Sequence, residues 1–272
     1  MPKSFSYRFR IIYFCFFVFV FLIGFPIIVF YSAGYTWDNT FGLSIRGGIY
    51  VFTPEPETSV FIGNELKNVS GFFNKEILIA DLKPDQYLVL ATNDTFWPWA
   101  KFVTVKRGEV EALAPLMIPK VIETESVSRS TQLRTTLVGL FATTTIPTSI
   151  KSTTTPNALV KKDVKIWHTG PKLFAHWEGD LQAAPEYFCD IESCEKPIQI
   201  FEAYVPIRTI DFYPHRDDAI ILALDNGVYV VEIDRRQTQN FYPLYKGNSP
   251  DFRVYRNQVY IKDGDYIALL NL

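Results

Sequence analysis

The stretch AIILALDNGVYVVEI, residues 219–233, determines the fold class that this sequence predicts. Two apolar runs, 219–224 and 228–233, flank the tripeptide Asp225-Asn226-Gly227. A short Asn-Gly turn between apolar runs is the strongest local signal of a β-hairpin. We therefore expect two adjacent antiparallel strands here. The sequence on both sides of them carries similar strand signals.

The rest of the C-terminal region repeats this pattern of short apolar runs separated by turn residues. About nine strands fit into residues 161–272, which predicts an all-β domain. The other expected strands are 164–168, 172–177, 198–204, 208–212, 252–255 and 258–262.

Residues 34–118 carry a second group of strand signals, with Gly and Pro turns between them. Six candidates recur at about ten-residue spacing without helical periodicity, which is typical of a small antiparallel β-sandwich. The expected strands are 49–52, 59–62, 76–79, 86–90, 101–105 and 110–117.

Residues 119–160 differ from both β regions in composition, because they contain eleven Thr, five Ser and three Pro. Such a segment buries too little apolar surface to offset the entropy of ordering, so we expect a Thr/Ser-rich linker. The apolar group 137–141 is an exception, and packing of this group on a neighbour as a strand or short helix stays open.

The segment 48–117 resembles a PEGA domain, a small β module of bacterial envelope proteins. The shared elements are a strand with a proline turn, a strand ending at Gly63-Asn64, the element LKPDQY and a final strand with basic flanks. Asp85 departs from the family pattern, which has glycine there, and Thr95-Phe96 replaces a glycine-tyrosine pair. The matching segments are 51–54, 60–64, 82–87, 99–101 and 105–109.

Residues 164–272 resemble the blades of a β-propeller of the WD40-like type. The segment 210–215 stands in the position of the usual tryptophan-serine-proline-aspartate turn, and 219–224 and 226–234 resemble the two strands that follow it. Blades of about 40 residues give only two or three in this length, whereas a closed ring usually needs at least four. Either the array is truncated or open, or the stretch 137–160 lends strands to it.

The N-terminal region has no charged side chain from Ile11 to Trp37. Residues 11–31 would form a helix about 31 Å long, at about 1.5 Å per residue, which matches the bilayer core. We expect a transmembrane helix over 11–33 that contacts lipid through residues 11–31. Because the tail 1–10 holds Lys3, Arg8 and Arg10 and no acid, it should stay in the cytoplasm while the bulk is extracytoplasmic.

A cleavable signal peptide is the alternative reading of this region. Signal peptides have an apolar core of about 7–15 residues and a small-residue exit. This run is longer, and its only candidate exit, Ser32-Ala33-Gly34, follows the bulky Tyr31. The sequence therefore favours an uncleaved signal-anchor in the cell membrane.

Charge and composition narrow the functional classes. The chain has 43 aromatic residues and a formal net charge of −2, and the part outside the basic tail carries −5. The aromatic content argues against intrinsic disorder, and the absence of a basic field argues against nucleic-acid partners. No cofactor is predicted.

Two local features are candidate sites. Cys189 and Cys194 enclose four residues, and an oxidising compartment favours a disulfide between them, with free thiols as the alternative. A metal site would need two further soft ligands, and none stands at suitable spacing. Trp97 and Trp99 straddle Pro98 and could stack on sugar rings or lie at the membrane interface; the alternative is that Trp99 closes the sandwich core and Trp97 covers one end.

No catalytic constellation stands out in the sequence. His168, His176 and His215 are scattered over two strands and a turn, and no nucleophile-elbow or zinc-protease motif occurs. We therefore expect a non-catalytic, membrane-anchored binding or scaffolding protein of the bacterial cell envelope, with envelope proteins or cell-wall glycans as partners. The alternatives are an envelope hydrolase or lyase and a carbohydrate-binding surface protein.

Overall fold

The computed structural model describes residues 7–32, 34–38, 42–129, 131–142, 158–189, 193–236 and 238–272. It consists of two helices, two short 3₁₀ turns (Leu181–Ala183 and Glu186–Phe188) and 21 strands, most of them in antiparallel sheets. This architecture confirms the predicted fold class, an all-β region behind one N-terminal apolar helix.

Helix α1 (Tyr7–Ser32) is long and apolar enough to cross a membrane. Its side chains from Phe9 onward are almost all exposed, and none belongs to a hydrophobic core of the described residues. Gly34 follows it with a left-handed φ of 79°, and its amide donates to the Tyr31 carbonyl at 3.1 Å, a common way to end a helix. Arg8 and Arg10 lie in the first turns of α1, whereas Lys3 lies outside the described residues.

The hairpin of β1 (Tyr35–Asp38) and β2 (Gly42–Ile45) connects α1 to a two-layer sandwich. One layer has the strand order β6-β3-β9 and the other has the order β5-β4-β7-β8. The pair β3–β9 is parallel, so the sandwich is not purely antiparallel as expected. Its strands are β3 (Gly47–Phe52), β4 (Ser59–Ile62), β5 (Glu65–Val69), β6 (Glu76–Leu82), β7 (Asp85–Thr92), β8 (Trp99–Val105) and β9 (Val110–Leu113).

Three four-stranded antiparallel sheets make up the C-terminal region. The first sheet contains β11 (Leu159–Lys161), β12 (Val164–Thr169), β13 (Lys172–Trp177) and β14 (Ile198–Glu202). The second contains β15 (Thr209–Phe212), β16 (Ala219–Leu224), β17 (Gly227–Glu232) and β18 (Phe241–Lys246). The third contains β19 (Asp251–Tyr255), β20 (Gln258–Asp263), β21 (Tyr266–Asn271) and, outermost, β10 (Glu123–Ser126).

The stretch 119–160, expected to be a linker, contributes two elements to this region. Strand β10 pairs antiparallel with β21, from Glu123 opposite Asn271 to Ser126 opposite Ala268. Helix α2 (Gln132–Ala142) packs Leu137 against Tyr260 and Ile267 of the third sheet. A strand from before the first sheet therefore completes the last one, and the apolar group 137–141 packs as a helix.

The C-terminal sheets form a stack. Strand β16 is buried on both faces because its alternate residues enter two different cores. Ile220 and Leu222 pack with the first sheet, whereas Ile221 and Ala223 pack with the third sheet and with the sandwich. Because the sandwich shares this second core, its contact with the C-terminal region is extensive and apolar.

Candidate functional site

A buried polar cluster lies where the sandwich meets the second C-terminal sheet. Glu232, at the end of β17, is 3% exposed, and Lys101, on β8, is 1% exposed. The Lys101 Nζ lies 3.1 Å from Glu232 Oε2. Trp99 Nε1 donates to the other carboxylate oxygen at 2.7 Å, and Asn240 Nδ2 donates to Oε2 at 2.7 Å. The carboxylate is thus surrounded by three donors in an environment without water access.

The alternation of β8 explains why two polar side chains point into this contact. Trp99, Lys101, Val103 and Val105 lie on the buried face of the strand, and the residues between them are more exposed. The sequence predicts a strand over 101–105, and alternation along it places Lys101 on the same face as Val103 and Val105. A lysine that shares the face of two valines was the available signal for a buried cation. Nothing local to Glu232 predicts its partner, because the two residues are 131 positions apart.

Backbone groups of β8 take part in the same contact. β8 is an edge strand, and unpaired edge groups need partners when they are buried. The Ala100 carbonyl accepts from Thr238 Oγ1 at 2.8 Å and from Asn240 Nδ2 at 3.2 Å. Lys101 Nζ also donates to the carbonyls of Asp234 at 2.6 Å and Thr238 at 3.1 Å. Thr238 and Asn240, which lie between β17 and β18, therefore cover the edge of the sandwich.

The electrostatics of Glu232 reflect its burial. Desolvation raises the pKa of Glu232, and the charge of Lys101 and the hydrogen bond from Asn240 act in the opposite direction. Desolvation also raises the pKa of Tyr242, whose hydroxyl donates to the Pro98 carbonyl at 2.7 Å. These groups hold the two regions together and are closed to a ligand.

An arginine forms a second connection between the two regions. Arg216 makes a bidentate ion pair with Asp218, with nitrogen–oxygen distances of 2.8 and 2.7 Å. The same guanidinium donates to the Ala114 carbonyl at 2.7 Å and to the Pro115 carbonyl at 3.2 Å, just after β9. Several directional bonds thus fix the position of the sandwich on the C-terminal sheets.

Trp97 and Trp99, candidates for stacking on a ligand or for the membrane interface, lie at the contact between the two regions. Trp99 is 3% exposed and its indole nitrogen is bound to Glu232. Trp97 is partly buried and stacks on Tyr242, with ring centroids 6.2 Å apart. Both indoles pack at the contact between the two regions, so an external sugar ring or a lipid headgroup cannot stack on Trp99.

The three histidines do not meet in one place. His168 on β12 and His176 on β13 lie on opposite faces of the first sheet. Along β12, His168 shares a face with Val164, whose partner is Trp177. His176 is paired with Lys165, which points to the other face. His215 lies in the turn after β15 with a left-handed φ of 61°. Burial lowers the pKa of His168. Within the described ranges, no three His, Cys, Asp or Glu side chains converge on a position that could hold a metal ion.

Cys189 and Cys194 are joined by a disulfide in the structure, and Cys15 on α1 is a free, exposed cysteine. We expect one reactive thiol per chain in denaturant without reductant and three after reduction. Maleimide labelling followed by intact-mass measurement checks this. Three reactive thiols in the unreduced protein would contradict the disulfide.

Asp211, on the first strand of the second sheet, is a partly buried acid. Its Oδ1 accepts the Phe212 amide at 2.7 Å, and burial raises its pKa to about 6 despite the charges of Lys161 and Arg253. The folded state thus binds this proton more tightly than the unfolded state. The resulting stabilisation is complete below about pH 4 and is lost as the pH rises through 6, a loss of at most about 3 kcal/mol.

We therefore expect Asp211→Asn to remove part of the fall in melting temperature between pH 4 and pH 7. Asp94→Asn, at an exposed position between β7 and β8, is the matched control and should leave the pH profile unchanged. Thermal unfolding of both variants at several pH values measures the effect. Parallel profiles for wild type and Asp211→Asn would show that Asp211 titrates normally.

Comparison with protein-family models found no match to this chain, and comparison with curated proteins found none either. The resemblance to a PEGA domain and to propeller blades therefore remains a prediction from the sequence.

Proposed function

We propose that this protein is a non-catalytic, single-pass membrane anchor and scaffold of a bacterial cell envelope, with its β regions outside the cytoplasm. The buried cluster of Lys101, Glu232 and Trp99 is the observation that carries the proposal. It connects the sandwich to the C-terminal sheets as one unit, which suits a protein that displays a surface at a set position. The basic residues Lys3, Arg8 and Arg10, which precede the uncharged run 11–37, support the orientation.

The hydrogen-bonded connection continues from the sandwich to helix α1. The Arg46 amide donates to the Gly34 carbonyl at 3.3 Å, and the Gly108 amide donates to the Arg46 carbonyl at 3.1 Å. The chain between α1 and β3 is therefore bound at both ends of the β1–β2 hairpin. A partner on the C-terminal sheets would be held close to the membrane by hydrogen-bonded structure.

The alternatives have less support from the geometry. The carbohydrate-binding alternative rested on Trp97 and Trp99, and Trp99 is closed to ligands. A hydrolase or lyase would draw on the histidines, of which His168 and His176 lie on opposite faces of one sheet.

Labelling and crosslinking of the full-length protein test this function. Tyr204, after β14, is fully exposed, so Tyr204→Cys should react with a membrane-impermeant maleimide in spheroplasts without lysis. A photo-crosslinking residue at position 204 should capture an envelope protein, and the same residue at the exposed Val121, beside the sandwich, is the control. Labelling at 204 only after lysis would overturn the orientation. Identical products from both positions would overturn specific display by the C-terminal sheets.

A further inference from the structure

We propose that the outer face of the three-stranded sandwich sheet, together with the turn that carries Phe72 and Phe73, rests on the lipid bilayer. The proposal deepens the membrane-anchoring part of the proposed function and rests on it. It assigns the sandwich a second, peripheral contact with the same membrane that α1 spans.

The outer face of this sheet is apolar. Ile49 and Val51 of β3 point into the core, so Tyr50 and Phe52 point outward. Their neighbours on that face are Leu78 and Ala80 of β6 and Val110 and Ala112 of β9. Phe52, Leu78 and Val110 are 40%, 62% and 57% exposed. The acid Glu76 stands opposite Phe52 at the end of the face.

The turn after β5 exposes two phenylalanines. The Gly71 amide donates to the Asn74 carbonyl at 3.0 Å, which leaves Phe72 and Phe73 at the two central positions. Phe72 is 75% exposed and Phe73 is 95% exposed, and their rings contact each other edge-to-face at 5.0 Å between centroids. Adjacent large aromatic side chains at a loop tip are typical of surfaces that enter the headgroup region.

Strand β3 connects the anchored end of the sandwich to the turn with the phenylalanines. The Arg46–Gly34 hydrogen bond places the start of β3 beside the end of α1, and β3 extends about 20 Å from there at about 3.3 Å per residue. At its far end, the Thr53 amide donates to the Lys75 carbonyl at 2.8 Å, next to the turn. A sheet lying on the membrane would therefore touch it at the anchored end, along the apolar face and at the phenylalanines.

This continuity with the anchor favours lipid as the occupant over a second copy or a soluble partner. The C-terminal sheets occupy the side of the sandwich formed by β8 and β9, through Lys101 and Arg216, and leave the outer face uncovered. The outward positions of β3, β6 and β9 include no Lys or Arg. Binding should therefore depend on apolar contact and be as strong on zwitterionic as on anionic lipid.

Nitroxide labels on the full-length protein in phosphatidylcholine vesicles test the proposal. In a Cys15→Ala background, a label at Phe73→Cys is compared with a label at Tyr204→Cys. Collision rates with oxygen and with a water-soluble nickel chelate report the depth of each label. We expect the label at 73 to be several-fold less accessible to nickel than the label at 204. Equal nickel accessibility at the two positions would overturn the proposal.

Native Cys15 provides a separate reading of the anchor. A label on Cys15 can show frequent collisions with oxygen and few with nickel while the label at 73 collides freely with nickel. In that case the peripheral contact fails and the anchor stands. If the label on Cys15 is open to nickel, the anchor fails and the proposed function fails with it. Strong spin–spin broadening between labels at 73 in dilute vesicles would identify a second copy as the occupant and overturn the lipid contact.

Discussion

Lys101→Met is expected to lower the free energy of unfolding by about 3–5 kcal/mol, the usual cost of leaving one member of a buried ion pair alone. The substitution keeps the length of the side chain but removes the charge that compensates Glu232. It also removes the donor to the carbonyls of Asp234 and Thr238. Because burial already raises the pKa of Glu232, the carboxyl can take up a proton at low pH, and the loss should shrink as the pH falls.

Lys162→Met is the matched control for this substitution. The Lys162 Nζ lies 2.6 Å from Asp217 Oδ2, closer than in the buried pair, but the lysine side chain is 72% exposed. Exposed pairs contribute about 1 kcal/mol or less, so this control should be nearly silent. Urea unfolding in detergent, followed by tryptophan emission, reports on the cluster because Trp99 belongs to it. Equal losses for both variants would show that the cluster does not hold the two regions together.

The hairpin at 219–233 shows how far local sequence could predict the fold. Strand β16 has the predicted bounds, and Leu224 pairs with Gly227 across the two-residue loop Asp225-Asn226. The glycine is nevertheless needed for a different reason, because a Cβ on Gly227 would lie 2.5 Å from the Tyr245 carbonyl oxygen of β18. The turn was readable from composition, whereas the close approach of β18 depends on tertiary packing.

Two of the strands that the sequence did not predict, β18 and β5, lie at sheet edges. Strand β18 contains Pro243, which argues against a central strand, but β18 is the outermost strand of its sheet and tolerates a missing donor. Strand β5 is polar and exposed at every position, since it is an edge strand with one neighbour. Apolar periodicity reports on burial, so it cannot detect elements that are barely buried.

The sequence drew attention to the two tryptophans but did not predict the buried ion pair beside Trp99. The segment 96–99 is conspicuous in the sequence because it contains two tryptophans. Among the described residues, Trp99 lies in the most polar buried contact that we identify. Its partner Glu232 lies in the hairpin 219–233, for which the sequence predicts a pair of strands and no ion pair. Alternation within one strand gives the face of a residue, but the element opposite that face depends on contacts between distant parts of the chain.

Leu137→Ala is the second substitution with a large expected effect, a loss of about 2–5 kcal/mol in the free energy of unfolding. Leu137 is fully buried between α2 and the third sheet, where it contacts Tyr260 and Ile267. Alanine has the higher helix propensity, so any loss must come from the cavity and not from the helix itself. The result decides whether the Thr/Ser-rich stretch is part of the folded unit or only a connection.

Val138→Ala on the same helix distinguishes a folded helix α2 from a flexible linker. Val138 is 47% exposed, so its truncation should change stability by no more than about 0.5 kcal/mol. A flexible linker would tolerate both substitutions equally, because neither side chain would have a fixed neighbour. An integral α2 makes the two adjacent positions differ strongly, and urea unfolding of the two variants side by side measures that difference. Since β10 and α2 both contact the third sheet, a loss confined to Leu137→Ala would place the stretch from 123 to 142 within its cooperative unit.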